Sequence, residues 1–274
     1  VTRVAVLQMT AGIDPARNCE TLTQAIAQAK AGGAEMLFTP EMSLLLDRDR
    51  RRAADAIDRE EDSRWLNALR GAARDHRMFV ALGSMAVLRD DGMLANRSMV
   101  ISSAGEIVAR YDKIHMFDVD LATGESWRES AAYAPGHSVV ALDDTPVGRL
   151  GLSVCYDIRF PALFDALGRR QCDVIAIPAA FTATTGAAHW HLLQRARAVE
   201  ATCWVVAAAQ VGEHEDGRHT YGHSLVIDPW GQIVLDMGGD GPDLGFADID
   251  DGRTSDVRRQ LPSLANKMPI EELS

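Results

Sequence analysis

The chain has 274 residues, 47% of them apolar and 24% charged, with a formal net charge of −11. That length and apolar content suffice for one large α/β unit with a substantial core. The acidic balance argues against nucleic acid and anionic membrane surfaces as partners, and no stretch reaches the roughly 20 apolar residues needed to span a bilayer.

The opening residues Val1 to Met9 alternate and are too short for a secretion signal, so Thr2 to Met9 is read as a first strand. Asp14-Pro15 opens an amphipathic helix to Ala31, closed by Gly32-Gly33. Met36 to Thr39 is a short buried strand that runs into Pro40-Glu41, and Arg48 to Glu61 is a charged stretch expected as a solvated helix or loop. Ser63 caps a helix to His76, followed by a strand from Met78 to Ser84. Leu94 to Ser102 and Glu106 to Tyr111 flank Ser103-Ala104-Gly105 as a hairpin. Residues 112–138 form a connection too long for a turn, and so a candidate functional loop.

A strand from Leu150 to Val154 runs into Cys155, and Pro161 takes the first position of a helix to Leu167. Asp173 to Pro178 is a buried strand, Gly186 to Thr202 a helix and Cys203 to Ala209 a strand. Three strands close the body, Gly222 to Ile227, Gln232 to Asp236 and Leu244 to Ile249, the first two joined by Pro229-Trp230-Gly231. The expected division is one domain over 1–250 and a polar tail over 251–274, packing on the body or at a dimer interface. Strand–helix alternation interleaved with hairpins argues an α/β domain, with the number of sheets left open.

The four cysteines, Cys19, Cys155, Cys172 and Cys203, match neither a zinc pattern nor a dense disulfide framework. Reduced thiols and a cytoplasmic location follow as expectations. Cys19, Cys172 and Cys203 read as buried small apolar residues. Cys155 differs, because it stands at a strand-to-helix junction outside the carboxyl end of a strand, where α/β proteins build their sites. A nearby helix N-terminus would favour thiolate there. From that segment alone, a buried free cysteine is an equal reading.

Of 28 basic residues only three, Lys30, Lys113 and Lys267, are lysines. A lysine kept in an arginine-rich chain hints at a need for a compact ammonium that guanidinium does not imitate. Lys30 ends a helix and Lys267 lies in the tail; Lys113 follows a strand, as Glu41 and Cys155 do. Parallel strands would bring all three to one edge. A carboxylate beside a thiol serves as general base and then acid, and an ammonium holds an oxyanion. Together they form an acyl-transfer apparatus.

The segments Thr39-Pro-Glu41, Tyr111-Asp-Lys113-Ile-His115 and Gly151-Leu-Ser-Val-Cys155-Tyr-Asp-Ile-Arg-Phe160 resemble, in order and spacing, the catalytic motifs of the nitrilase (carbon-nitrogen hydrolase) superfamily. The resemblance implies a Glu41–Lys113–Cys155 triad and a second glutamate at Glu129. Phe181 to Trp190, Arg195 to Glu200, Ala207 to Gln210, Tyr221 to Ser224 and Asp228 to Gly231 are similar to the Nit branch of amidases. That branch implies an αββα sandwich with two mixed sheets, a homodimer or higher homo-oligomer, and no metal or other cofactor. It implies ammonia release from a small carboxamide through a cysteinyl thioester, the substrate being deaminated glutathione or a keto-acid ω-amide. The Tyr156 N–H is the expected backbone oxyanion donor; Phe181, Thr182 and Thr185 are expected at the acyl pocket. Arg159 either pairs with a substrate carboxylate or bridges to Asp157. The tail departs from the family pattern at Asn266-Lys-Met-Pro269.

Other chemistries are weaker. His189 and His191 do not share a helix face, so a metal pair is disfavoured, and His214 to His219 reads as a hydrophilic loop. None of the eight histidines has the local signature of a Cys–His hydrolase. Gly238 to Gly241 lacks the strand and helix of a phosphate loop. A true nitrilase acting on C≡N and a binding-only member of the fold remain as alternatives. The second has no use for an intact triad.

Overall fold

The computed structural model describes residues 1–122, 124 and 126–270. The first half supplies β1 (Thr2–Gln8), α1 (Pro15–Ala31), β2 (Met36–Phe38), α2 (Arg50–Ala54), α3 (Arg64–His76), β3 (Phe79–Leu88), β4 (Leu94–Ile101) and β5 (Ile107–Asp112). A small hairpin, β6 (Asp118–Asp120) and β7 (Ser126–Arg128), follows. The second half supplies β8 (Ala141–Thr145), β9 (Gly148–Leu152), α4 (Pro161–Arg169), β10 (Val174–Ala176), α5 (Ala183–Ala201) and β11 (Trp204–Ala207). Then come a second hairpin, β12 (Val211–Glu213) and β13 (His219–Tyr221), and β14 (Leu225–Ile227), β15 (Ile233–Asp236), β16 (Asp243–Ile249) and α6 (Asp251–Gln260).

Two six-stranded mixed sheets result, in the orders β16-β1-β2-β3-β4-β5 and β15-β14-β11-β10-β9-β8. Strand periodicity explains the layering, since successive side chains point to opposite faces. In β1, Val4 and Val6 pack in the same core as Leu150, Leu152, Val174 and Val206 of the other sheet. The alternate residues Ala5 and Leu7 pack with Leu22 and Ile26 of α1 and Leu66 and Leu69 of α3. The second sheet carries α4 and α5, with Phe164, Leu167 and Trp190 buried. Helix, sheet, sheet, helix is the αββα order that the resemblance implies.

Several local expectations are revised. The polar tail begins with a helix: Asp250 caps α6, Thr254 and Val257 are buried, and Arg258 donates to the carbonyls of Thr202 and Cys172. Arginine stems and a few inward residues were enough to hold a segment whose composition reads as solvated. Residues 271–274 of that tail lie outside the described residues, as do 123 and 125 of the long connection. That connection contains β6, β7 and a 3₁₀ turn at Glu129–Ala131. The hydrophilic string from His214 is, as expected, a loop, joining β12 and β13, but His214 itself is buried, bonded to Ala11 O at 2.8 Å and Thr220 Oγ1 at 2.7 Å. Strand β8 had no clear signal, and β9 ends at Leu152 rather than Val154.

One glycine is imposed by the approach of the Glu41 loop. A Cβ on Gly83 would lie 2.0 Å from Thr39 O and 2.3 Å from Pro40 O, both backbone. Gly83→Ala should therefore push Pro40-Glu41 off β3, at about 1–3 kcal/mol of stability. Urea denaturation together with a rate assay checks this; unchanged stability and rate would mean that the loop yields freely.

Candidate active site

The loops after β2 and β5 and the turn after β9 converge on one cavity of about 730 Å³, lined by Glu41, Lys113, Glu129 and Cys155 among others. β2 runs parallel to β3, and β5 shares that direction through two antiparallel steps via β4. Glu41 and Lys113 therefore leave the first sheet at the same edge. Cys155 reaches it from the second sheet, its N–H donating to Pro178 O at 2.8 Å.

Cys155 has φ +48°, a left-handed conformation that costs a non-glycine residue about 1–3 kcal/mol. Asp157, fully buried, holds the turn in place. Its Oδ2 accepts from Tyr111 O–H at 2.7 Å and from Val154 N–H at 2.9 Å, and its Oδ1 from His115 N–H at 3.0 Å. His115 Nδ1 lies 2.7 Å from the same Oδ1. These bonds tie the thiol-bearing turn to the strand that delivers Lys113. They also rule out the Arg159–Asp157 bridge, because every bond of Asp157 goes elsewhere.

Lys113 is 2% exposed and donates to Glu41 Oε1 at 3.0 Å and to both Glu129 oxygens at 3.1 and 2.8 Å. Asn96 Nδ2 bridges the same two carboxylates, at 2.9 Å to Glu41 and 3.1 Å to Glu129. Ala180 N–H donates to the other Glu41 oxygen at 2.8 Å, and Phe117 N–H to Glu129 Oε2 at 2.7 Å. Asn96 had no sequence signal, being one polar residue in a strand; only the fold shows what it bridges.

Burial alone would discharge Lys113, but Glu129 and then Glu41 hold it well above the usual ammonium range. Burial would likewise protonate Glu41, and the Lys113 charge together with the hydrogen bonds from Cys155, Ala180 and Lys113 outweighs it, keeping that carboxyl below its ordinary value. Cys155 goes the opposite way: burial and then the negative Glu41 push its thiol well up, against Lys113. The expected helix-end thiolate is thus overturned, since desolvation and a facing carboxylate exceed a weak dipole. The resting pair is a carboxylate and a thiol, which is the state a general base needs.

The Tyr156 N–H opens the same 3₁₀ turn, where a first-turn donor has no intrahelical partner. Phe181, Thr182 and Thr185 line the cavity; Phe181 also packs on Trp190 at 5.1 Å, so it serves both wall and core. Thr182 caps α5 and shares a 2.7 Å hydroxyl contact with Thr185. Arg159 is not in the lining. It stands beside it, over Phe181 at 5.3 Å and Tyr156 at 5.9 Å, with His189 Nδ1 at 3.3 Å. The charged stretch forms the short α2 and a loop and is mostly exposed, as expected, and it also contributes Arg48, Arg50, Ala53, Ala54 and Ile57 to the cavity wall.

His189 and His191 do point apart, the second toward Asp236 Oδ2 at 2.9 Å. His223 reaches the other oxygen of Asp236 at 2.9 Å, so His191, His223 and Asp236 form a hydrogen-bonded group outside the cavity lining.

The carbon-nitrogen hydrolase family model matches residues 3–259. This chain belongs to the carbon-nitrogen hydrolase family. The hydrolase is similar to the deaminated glutathione amidase of Yersinia enterocolitica, 40% identical over 98% of this chain and 94% of that protein. Among solved structures, it resembles the Caenorhabditis elegans NitFhit protein with a TM-score of 0.90 and 35% identity, over 97% of this chain and 65% of that one. It also resembles an amidase from Nesterenkonia sp. AN1, solved as a mutant with acrylamide added at its active site cysteine: TM-score 0.79, 27% identity, 96% of this chain and 98% of that one. As a member of the family, the protein is a hydrolase acting on carbon–nitrogen bonds. None of its described helices is long and apolar enough to cross a membrane.

Proposed function

We propose that this carbon-nitrogen hydrolase is a thiol amidase acting on deaminated glutathione or a similar keto-acid amide. The observation that carries it is the buried Glu41–Lys113–Glu129 cluster meeting Cys155 in one cavity. Glu41 takes the Cys155 proton as sulfur attacks the amide carbonyl. Lys113 and the Tyr156 N–H hold the oxyanion. The protonated Glu41 then gives its proton to the leaving nitrogen, the C–N bond breaks and a thioester remains. Water, deprotonated by Glu41, attacks that thioester and restores the thiol. Glu129 keeps Lys113 charged and in place, and no step needs a metal or other cofactor.

For a keto-acid ω-amide the departing group is ammonia. For deaminated glutathione it is the amino group of cysteinylglycine, so ammonia release is too narrow a description of the chemistry. The 730 Å³ cavity suits the larger substrate. Rates on deaminated glutathione, keto-acid amides, neutral amides and nitriles test the reading. Preference for a neutral amide or a nitrile would overturn it.

Arg159, with no carboxylate partner among the described residues, would attract the keto-acid carboxylate from beside Phe181. Arg159→Met should raise KM for keto-acid amides by about tenfold and for a neutral amide far less. Equal losses on both would leave Arg159 a packing role only.

We also infer a homodimer. Leu192, Val199, Trp230, Ile233 and Val234 are exposed apolar side chains on α5 and the adjoining β14–β15 hairpin, where Arg195 bonds Gly231 O at 2.8 Å. Leu192→Glu with Trp230→Glu should convert the sedimenting species to monomer; an unchanged mass would sink that face.

A further inference from the structure

The cavity has a second, cationic end that the acyl-transfer steps do not use. Its lining includes Met42, Leu46, Asp47, Arg48 and Arg50, together with Trp127 and Arg128 of β7 and Arg218 between β12 and β13. The carboxylates around it are engaged. Asp47 binds Arg52, Asp120 binds Arg128 and Asp216 binds Arg218. Asp49 caps α2 through the backbone of Arg51 and Arg52. Arg48 and Arg50 have no carboxylate partner among the described residues. The Arg48 guanidinium rests over the Trp127 indole at 5.1 Å, beside that of Arg218 at 5.0 Å, and Arg50 donates to Arg128 O. Among the described residues the two exposed guanidinium groups of Arg48 and Arg50 at the cavity wall carry no carboxylate, and in a protein of net charge −11 they are open to an anion from outside.

Chemistry decides which part of a substrate lies there. The leaving nitrogen must face Glu41, the group that protonates it. Whatever that nitrogen carries then occupies the rest of the cavity, whose wall includes Arg48 and Arg50. We propose that Arg48 and Arg50 form a leaving-group subsite for a carboxylate on the departing amine. The enzyme is thereby suited to amides of a short peptide with a free C-terminus, and not only to primary amides. This rests on the thiol-amidase reading above and specifies the amine half of its substrate. Stacking on Trp127 holds Arg48 in position before the ligand arrives, which lowers the ordering cost of binding.

The test crosses enzyme variants with substrate variants. Wild type and Arg48→Ala/Arg50→Ala are assayed on deaminated glutathione, on the same molecule with its C-terminal carboxylate blocked as an amide, and on the keto-acid primary amide. The expected result is a fall of about 10- to 100-fold in the ratio of kcat/KM for deaminated glutathione to that for the primary amide. Blocking the carboxylate should cost wild type a similar factor and cost the double variant little more, because the two changes remove one interaction. Arg48→Lys, keeping the charge, should restore part of the ratio. Equal losses on all three substrates would overturn the subsite and leave the arginines a role in folding the loop. So would a wild type indifferent to the blocked carboxylate. No turnover of deaminated glutathione by wild type, with primary amides still cleaved, would sink the substrate reading and this subsite with it.

Discussion

Cys155→Ala should lower kcat by about 10⁴-fold or more while leaving the fold intact, because no thioester forms without sulfur. The side chain is small, and its main-chain φ of +48° is equally strained for alanine, so the change removes chemistry with little packing. Intact-mass spectrometry of wild type with a slow substrate should show one acyl adduct, mapped to Cys155. The other three cysteines are buried, and burial pushes the Cys172 thiol up to about 11 and that of Cys203 higher still. Among the described residues none of them is hydrogen-bonded to a carboxylate, and Asp173, the one near Cys172 and Cys203, is engaged by Arg149 N–H and Arg258. A Cys155→Ala enzyme with appreciable turnover, or an adduct on another cysteine, would remove the nucleophile from the scheme.

Lys113→Met should be the most damaging change to stability and activity together. It leaves Glu41 and Glu129 buried against one another with only Asn96 between them. Breaking a buried pair in this way costs about 3–5 kcal/mol, and loss of an oxyanion donor lowers the rate about 10²- to 10³-fold. Lys113→Arg should do nearly as much harm, since a planar fork does not fit a 2%-exposed site built around three oxygens at 2.8–3.1 Å. Adding Glu129→Gln to Lys113→Met should recover part of the stability and little of the rate. A Lys113→Arg enzyme near wild type would mean that the site needs only charge.

The pH dependence follows from the same cluster. The depressed Glu41 contributes stability above its ordinary value of 4.5, lost as pH falls through its lower folded value. The raised Lys113 contributes below its ordinary 10.5, lost as pH rises through its higher folded value. The active carboxylate–thiol pair spans the interval between Glu41 and Cys155, so kcat/KM should be flat through neutrality with its acid limb below pH 4.5. In Lys113→Met that limb should move above 4.5, a shift that pH–rate profiles of any residual activity would reveal.

Much of this was legible in the sequence, for identifiable reasons. Short apolar runs such as Met36–Phe38 and Val174–Ala176 betray strands buried on both faces, and Asp14, Ser63 and Gly33 mark where helices begin or end. The meeting of Glu41, Lys113 and Cys155 in one cavity was readable because each follows a strand. What was not readable depends on contacts between distant segments. The Arg48–Glu61 stretch is solvated, as its composition says, but that Arg48 and Arg50 also border a cavity depends on segments far away in the chain. Asn96 and Asp157 are ordinary polar residues until Glu129 and Tyr111 arrive beside them. The thiol's elevated proton affinity likewise comes from burial and Glu41, neither of which a local window contains.

Strand β16 pairs antiparallel with β1 along all seven residues, from Thr2 opposite Ile249 to Gln8 opposite Asp243. On a ribosome, β1 waits for a neighbour that is translated more than two hundred residues later. Until then one margin of the first sheet offers unpaired amides to any passing strand. Such distant pairings are slow to form and favour late assembly. The Glu41–Lys113 half and the Cys155 half of the machinery should accordingly mature together only once β16 has been made. A nascent chain halted before Asp243 should be prone to aggregation and in need of a chaperone.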